Sequence, residues 1–150
     1  MRRVLALSML LASCAAPGEL SVELGTGEAA FETMVGEPTL PLVAGPQGGH
    51  HVWISLRVAG ASSDRVDLTV DVTRLEAPAP PAREPVRVQL EQREGGDAEL
   101  VGWPAELVDP GCAIGERVAV RASVRDVDGS HGTDERMIVV GGGTHPPACP

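Results

Sequence analysis

Hydrophobic and polar residues alternate along most of this chain. Leu20, Val22 and Leu24 are separated by Ser21 and Glu23, and Val52, Ile54, Leu56 and Val58 by Trp53, Ser55 and Arg57. A period of two puts successive side chains on opposite faces, the pattern of a half-buried strand. The cleanest run is Val66, Leu68, Val70 and Val72 against Arg65, Asp67, Thr69, Asp71 and Thr73. Val86, Val88 and Leu90 follow the same rule, as do Val118, Val120, Ala122 and Val124. Met137 to Val140 closes the series, and a short strand is expected around Leu100 to Trp103. Phe31 to Val35 and Thr39 to Val43 read as edge elements, the second confined by Pro38, Pro41 and Pro46. Turn residues punctuate these runs at Gly45 to Gly49, Ser62 to Asp64 and Gly95 to Asp97, and Asp126 to Asp134 reads as a hairpin loop. Ala77 to Pro85 holds four prolines and reads as a stiff extended crossover. No segment sustains a helical period. The pattern predicts an all-β protein, a single antiparallel β-sandwich of about seven strands over residues 20–140, with a small β-barrel as the alternative.

The first residues follow a different rule. Met1-Arg2-Arg3 is positive, Val4 to Ala12 is apolar apart from Ser8, and small residues precede Cys14. The apolar run is too short to span a bilayer, which takes about 20 residues, and has the length of a secretion leader. Leu11-Ala12-Ser13-Cys14 resembles the lipobox of bacterial lipoproteins. That resemblance implies cleavage before Cys14, a thioether-linked diacylglyceryl group on its sulfur, and acylation of its amine. Residues 1–13 are then a signal peptide, 14–19 a lipidated tether and 141–150 a Gly/Pro-rich tail. Ala15, not Asp, follows the cysteine, which by the same resemblance points to the outer rather than the inner membrane of the cell envelope. More than one acyl chain gives stable anchoring where a single chain binds marginally.

The stretch Gly115 to Gly129 resembles the last hairpin of bacterial immunoglobulin-like domains, which implies an immunoglobulin-like sandwich. It lacks the antibody pattern of paired cysteines on facing strands with a tryptophan between. With Cys14 committed to lipid, Cys112 and Cys149 remain as an even pair, as suits an oxidising compartment. They lie just before and just after the two strands of the last hairpin, so antiparallel pairing brings them together. A disulfide between them is expected.

Charge narrows the partners. The chain carries 12 basic and 21 acidic residues; losing Arg2 and Arg3 with the leader takes the net charge from −9 to −11. That excludes an electrostatic grip on nucleic acid or anionic lipid. The expected partners are membrane lipid, through Cys14, and an unidentified protein or envelope component. All basic residues are Arg, so lysine Schiff-base and P-loop chemistry are excluded.

No enzyme signature or cofactor motif stands out. Gly-x-Ser-x-Gly, His-Glu-x-x-His and Cys-x-x-Cys are absent. His50-His51 is the one adjacent histidine pair, and a copper- or zinc-handling role is the alternative function; in a strand the two rings point apart. His131, His145 and Met34 have no ligand spacing relative to them. Asp126, Asp128 and Asp134 loosely suggest calcium, but the twelfth position counted from Asp126 is Met137, where an EF-hand needs Glu. If Val52 and its partners face the core, His51, Trp53 and Arg57 share the outer face as a candidate binding patch, unless the N-terminal segment or the proline crossover covers it. Arg117, Arg121 and Arg125 share one strand face and are expected to pair with acidic neighbours.

Overall fold

The computed structural model describes residues 18–78, 80–143 and 148–149. The leader, Cys14, Ala15 to Pro17 and His145 lie outside the described residues.

Among the described residues, eleven strands form two sheets. They are β1 (Ser21–Thr26), β2 (Glu32–Thr33), β3 (Thr39–Pro41), β4 (Val43–Ala44), β5 (His50–Ala59), β6 (Arg65–Arg74), β7 (Val86–Gln89), β8 (Glu91–Gln92), β9 (Ala98–Glu106), β10 (Arg117–Arg125) and β11 (His131–Gly141). One sheet runs β2-β1-β5-β9-β8 with β4 also on β5, and the other runs β3-β11-β10-β6-β7. Leaving aside the short β2, β3 and β4, this is the ABED and GFCC′ order of an immunoglobulin-like sandwich.

The alternation seen in the sequence is the sandwich core. Leu24, Val52, Ile54 and Leu56 from one sheet meet Val66, Leu68, Val118, Val120, Ile138 and Val140 from the other, all fully buried. Trp103 packs against this aliphatic centre from its margin. Val88 and Leu90 keep one inward rhythm while the chain changes sheets between them, β7 pairing with β6 and β8 with β9.

β9 runs from Ala98 to Glu106, longer than its sequence suggests. The register against β5 slips between Ile54 and Leu56, and the extra residues include Gly102. A bulge resets the inward face, so period-two alternation breaks halfway along. Gly102 has φ +69°, and a Cβ there would sit 2.4 Å from the Glu28 carbonyl oxygen. Only glycine suits both conditions.

One edge departs from antiparallel pairing. β3 runs parallel to the end of β11, and Glu19 makes a parallel bridge to His131 at its start. Leu20 donates its amide to the His131 carbonyl (2.9 Å), His131 donates to the Gly18 carbonyl (3.2 Å), and Val139 donates to the Pro38 carbonyl (3.0 Å). Between these two contacts the inward-facing Asp134 accepts the Leu24 amide of β1 at 2.8 Å. Both sheets are thereby stitched along their shared open side.

Cys112 sits in a one-turn helix, α1 (Pro110–Ala113), and is disulfide-bonded to Cys149, with Cα atoms 4.6 Å apart. The bridge closes a separation of 37 residues, which chain entropy values at about 4 kcal/mol before strain.

Gly132 lies under the stitched edge, where a Cβ would meet the Leu20 carbonyl oxygen at 2.3 Å and Val22 Cγ2 at 2.9 Å. Gly132→Ala is expected to push the first strand off β11 and cost about 2 kcal/mol. Urea denaturation measures the loss, and faster exchange of the Leu20 amide localises it. An unchanged midpoint with an unchanged Leu20 rate would show that the edge bends without cost.

Candidate functional site

The two outer faces of the sandwich differ. On the first sheet, His51, Trp53, Ser55 and Arg57 point outward from β5, as alternation dictates, but the chain after β1 folds back over them. Ser55 Oγ donates to the Gly27 carbonyl (2.9 Å) and accepts the Gly102 amide (3.2 Å). Phe31 fills the space over Gly25, and the Arg57 guanidinium lies 4.1 Å from its ring centroid.

The candidate patch is therefore mostly covered or engaged. Arg57 donates to Glu23 (3.2 Å) and to Glu99 (3.0 Å). Arg93 reaches Glu99 as well, at 2.8 Å. Glu99 is only 8% exposed. Burial pushes its carboxyl up, but the hydrogen bonds from Arg57 and Arg93 outweigh this and hold it below the usual range. Trp53 is half-buried and meets His51 edge-on, with ring centroids 4.4 Å apart. His51 is 7% exposed, and its Nε2 has no hydrogen-bond partner among the described residues. Burial pushes its pKa down, opposed by the charges of Glu106 and Glu28.

His50 lies on the other face of β5. Among the described residues, no group of three or more His, Cys, Asp or Glu is placed to hold a metal ion. Asp126 is 4% exposed and is a structural anchor: its carboxylate accepts the Ser62 amide and hydroxyl at 2.5 and 2.8 Å, tying the β5–β6 turn to the β10–β11 turn. Burial raises its pKa, and the hydrogen bonds from Ser62 and Val127 more than reverse that. Asp128 accepts the Ser130 amide, closing the turn. Asp134 is taken by Leu24 and Arg136.

Among the described residues, the outer face of the second sheet is open. Its outward residues stand in rows fixed by register. One row is Arg87, Asp67, Arg125 and His131. The next is Thr69, Ser123 and Thr133, and the next Asp71, Arg121 and Glu135. The short hydroxyl row is sunk between rows of longer charged side chains, and the crossover flanks it with Pro85. A concavity of about 530 Å³ results over Thr69, Ser123, Arg125, His131 and Thr133. A second, of about 370 Å³, lies over Asp71, Arg121 and Glu135, beside Pro80 and Ala82.

The three β10 arginines do not behave alike. Arg117 pairs with Glu37. Among the described residues Arg121 and Arg125 make no ion pair. The carboxylate opposite Arg125 is Asp67, which Arg87 holds through two hydrogen bonds of 2.5 and 3.1 Å. Asp67 is kept below the usual carboxylate range chiefly by those bonds, with smaller help from Arg125. The sequence displayed these charges, but not the strand neighbours that align them with three hydroxyls.

His51 makes acid stability testable. A pKa lowered in the folded state means that full stability holds above about 6.5, the unfolded value, and falls as pH drops below it. The slope is at most about 1.4 kcal/mol per pH unit. His51→Phe keeps the packing on Trp53 and removes the proton acceptor. We expect it to flatten the stability profile between about pH 6.5 and 5, read by thermal melts across that range. A variant as acid-sensitive as the parent would assign the effect elsewhere. Set beside known proteins, the chain matches no protein-family model, no curated protein and no solved structure.

Proposed function

We propose that this chain is a non-enzymatic binding module of a bacterial cell envelope, anchored by acyl chains on Cys14, with the outer membrane as its site. The observation that carries the binding role is the contrast between the two sheets. The face bearing Trp53 is closed by its own loop and ion pairs, whereas the β11-β10-β6-β7 face keeps two unpaired arginines beside an open concavity among the described residues. A guanidinium without an ion pair beside a concavity has its donors free for a partner's oxygens. The anchor reading is supported by the lipobox-like sequence and by the spacing that follows it. Gly18, four residues after Cys14, is already hydrogen-bonded to the body through Ser130 Oγ at 3.0 Å. Four residues reach about 14 Å at full extension, so the acyl chains would hold the body close to the bilayer.

Two experiments test these halves separately. Cys14→Ser is expected to move the protein from membranes to the soluble fraction, or to leave a precursor with residues 1–13 attached. Unchanged membrane retention and lipid labelling would overturn the anchor. For the face, a photo-crosslinking residue at Thr133 should give an adduct in intact cells, while one at Arg57 should give none. Equal labelling at both positions, or none at either, would overturn the assignment of the open face.

A further inference from the structure

We infer that the concavity over Thr69, Ser123 and Thr133 is a binding site for a hydroxylated organic oxyanion, a sugar acid or sugar phosphate, whose anionic group is held by Arg125. The inference deepens the reading of the body as a binding module and does not depend on the anchor.

Three observations converge on this ligand class. The first is charge. In a chain with 21 acidic and 12 basic residues, the row Arg87–Asp67–Arg125–His131 sets two guanidinium groups against one carboxylate. Asp67 is committed to Arg87, which leaves Arg125 with donors aimed at no carboxylate among the described residues. A guanidinium presents a planar fork of N–H donors that matches carboxylate or phosphate oxygens two at a time. The second is the floor. Thr69, Ser123 and Thr133 lie side by side across three strands, and each hydroxyl can both donate and accept. That is the complement of a sugar's own hydroxyls, and an apolar or purely anionic ligand would leave it unsatisfied. The third is size and polarity. About 530 Å³ suits a ligand of one to three rings. Two residues along the strands, about 6.8 Å, separate the hydroxyl row from the next, where Arg121 lies between Asp71 and Glu135. That row carries net negative charge and repels a second anionic group. The site therefore takes its oxyanion at the Arg125 end and hydroxyls beyond it. Among the described residues no Phe, Tyr or Trp lines the concavity and its one ring is the His131 imidazole beside Arg125, so recognition is chiefly by hydrogen bonding and charge.

The test uses the purified full chain in nonionic detergent, with calorimetric titration and amide chemical-shift mapping. The probes are galacturonate, a hexose phosphate, maltotriose and acetate. Galacturonate or the hexose phosphate should bind and shift the Ser123 and Thr133 amides, and which binds more tightly identifies the source of the oxyanion. Maltotriose, lacking charge, and acetate, lacking hydroxyls, should each bind at least about tenfold more weakly, the loss of roughly one charge-assisted contact. Arg125→Gln should reduce binding of the acidic probe about tenfold or more, and Ser123→Ala should weaken the acidic sugar but not acetate. Both side chains point outward, so the melting temperature should hold. Maltotriose binding as well as galacturonate would overturn the charge assignment, and acetate binding as well would overturn the hydroxyl row. No binding by any acidic probe would overturn the site. If the Thr133 crosslink still forms in cells in that case, the binding-module reading stands with a ligand of another class.

Discussion

The outer edge of β11 is the constraint on which this sandwich depends. A final strand with unpaired amides along one side is an open template for another chain. Here that side is occupied twice by earlier parts of the same chain: Gly18–Leu20 at its start and Pro38–Pro41 at its end. Asp134 spans the interval by accepting the Leu24 amide. These contacts also bring Leu20 and Leu40 into the core. They hold two sheets, each with a good aliphatic face, in the one relation that buries both. Gly132 belongs to the same arrangement, since any side chain there would stand where Leu20 must pass.

With that edge closed, the two outer faces take different fates. On the first sheet the chain leaving β1 must return over β5, so it carries Phe31 onto Gly25 and Arg57 and brings Glu28 against Gly102. His51 is buried beside Gly45, with Trp53 edge-on against it. On the second sheet the proline-rich crossover runs past the sheet's side and flanks the concavities without filling them. Proline resists bending back over a surface, since its φ is fixed and it has no amide to donate. The open face and the stiff crossover are aspects of one design.

Much of this was legible as alternation. Val66 to Val72 and Val118 to Val124 declare their inward faces residue by residue, and the structure buries them accordingly. The pairing of Cys112 with Cys149 followed from their places at the two ends of a hairpin. What alternation could not show was anything set by neighbours distant in sequence. The bulge at Gly102 breaks the period that would have announced β9 at full length. The parallel contacts of Gly18–Leu20 and β3 leave no local mark, because a two- or three-residue ladder has no period. The outward face of β10 was visible as Arg117, Arg121 and Arg125, yet nothing local indicated that Glu37 would claim only the first or that Arg87 would claim Asp67. Which arginines remain available is decided by register, and register is a property of three strands at once.

The bond from Ser130 to Gly18 links residues 112 positions apart, and the contact of Asp134 with Leu24 spans 110. The chain's opening segment thus waits for its closing hairpin before it has anywhere to dock. Loops of that length close slowly, and topologies rich in them fold slowly. A chain emerging amino terminus first would remain an unsealed half-sandwich until its last hairpin had emerged, and its exposure to proteases and to other unfinished chains would last until that hairpin docked.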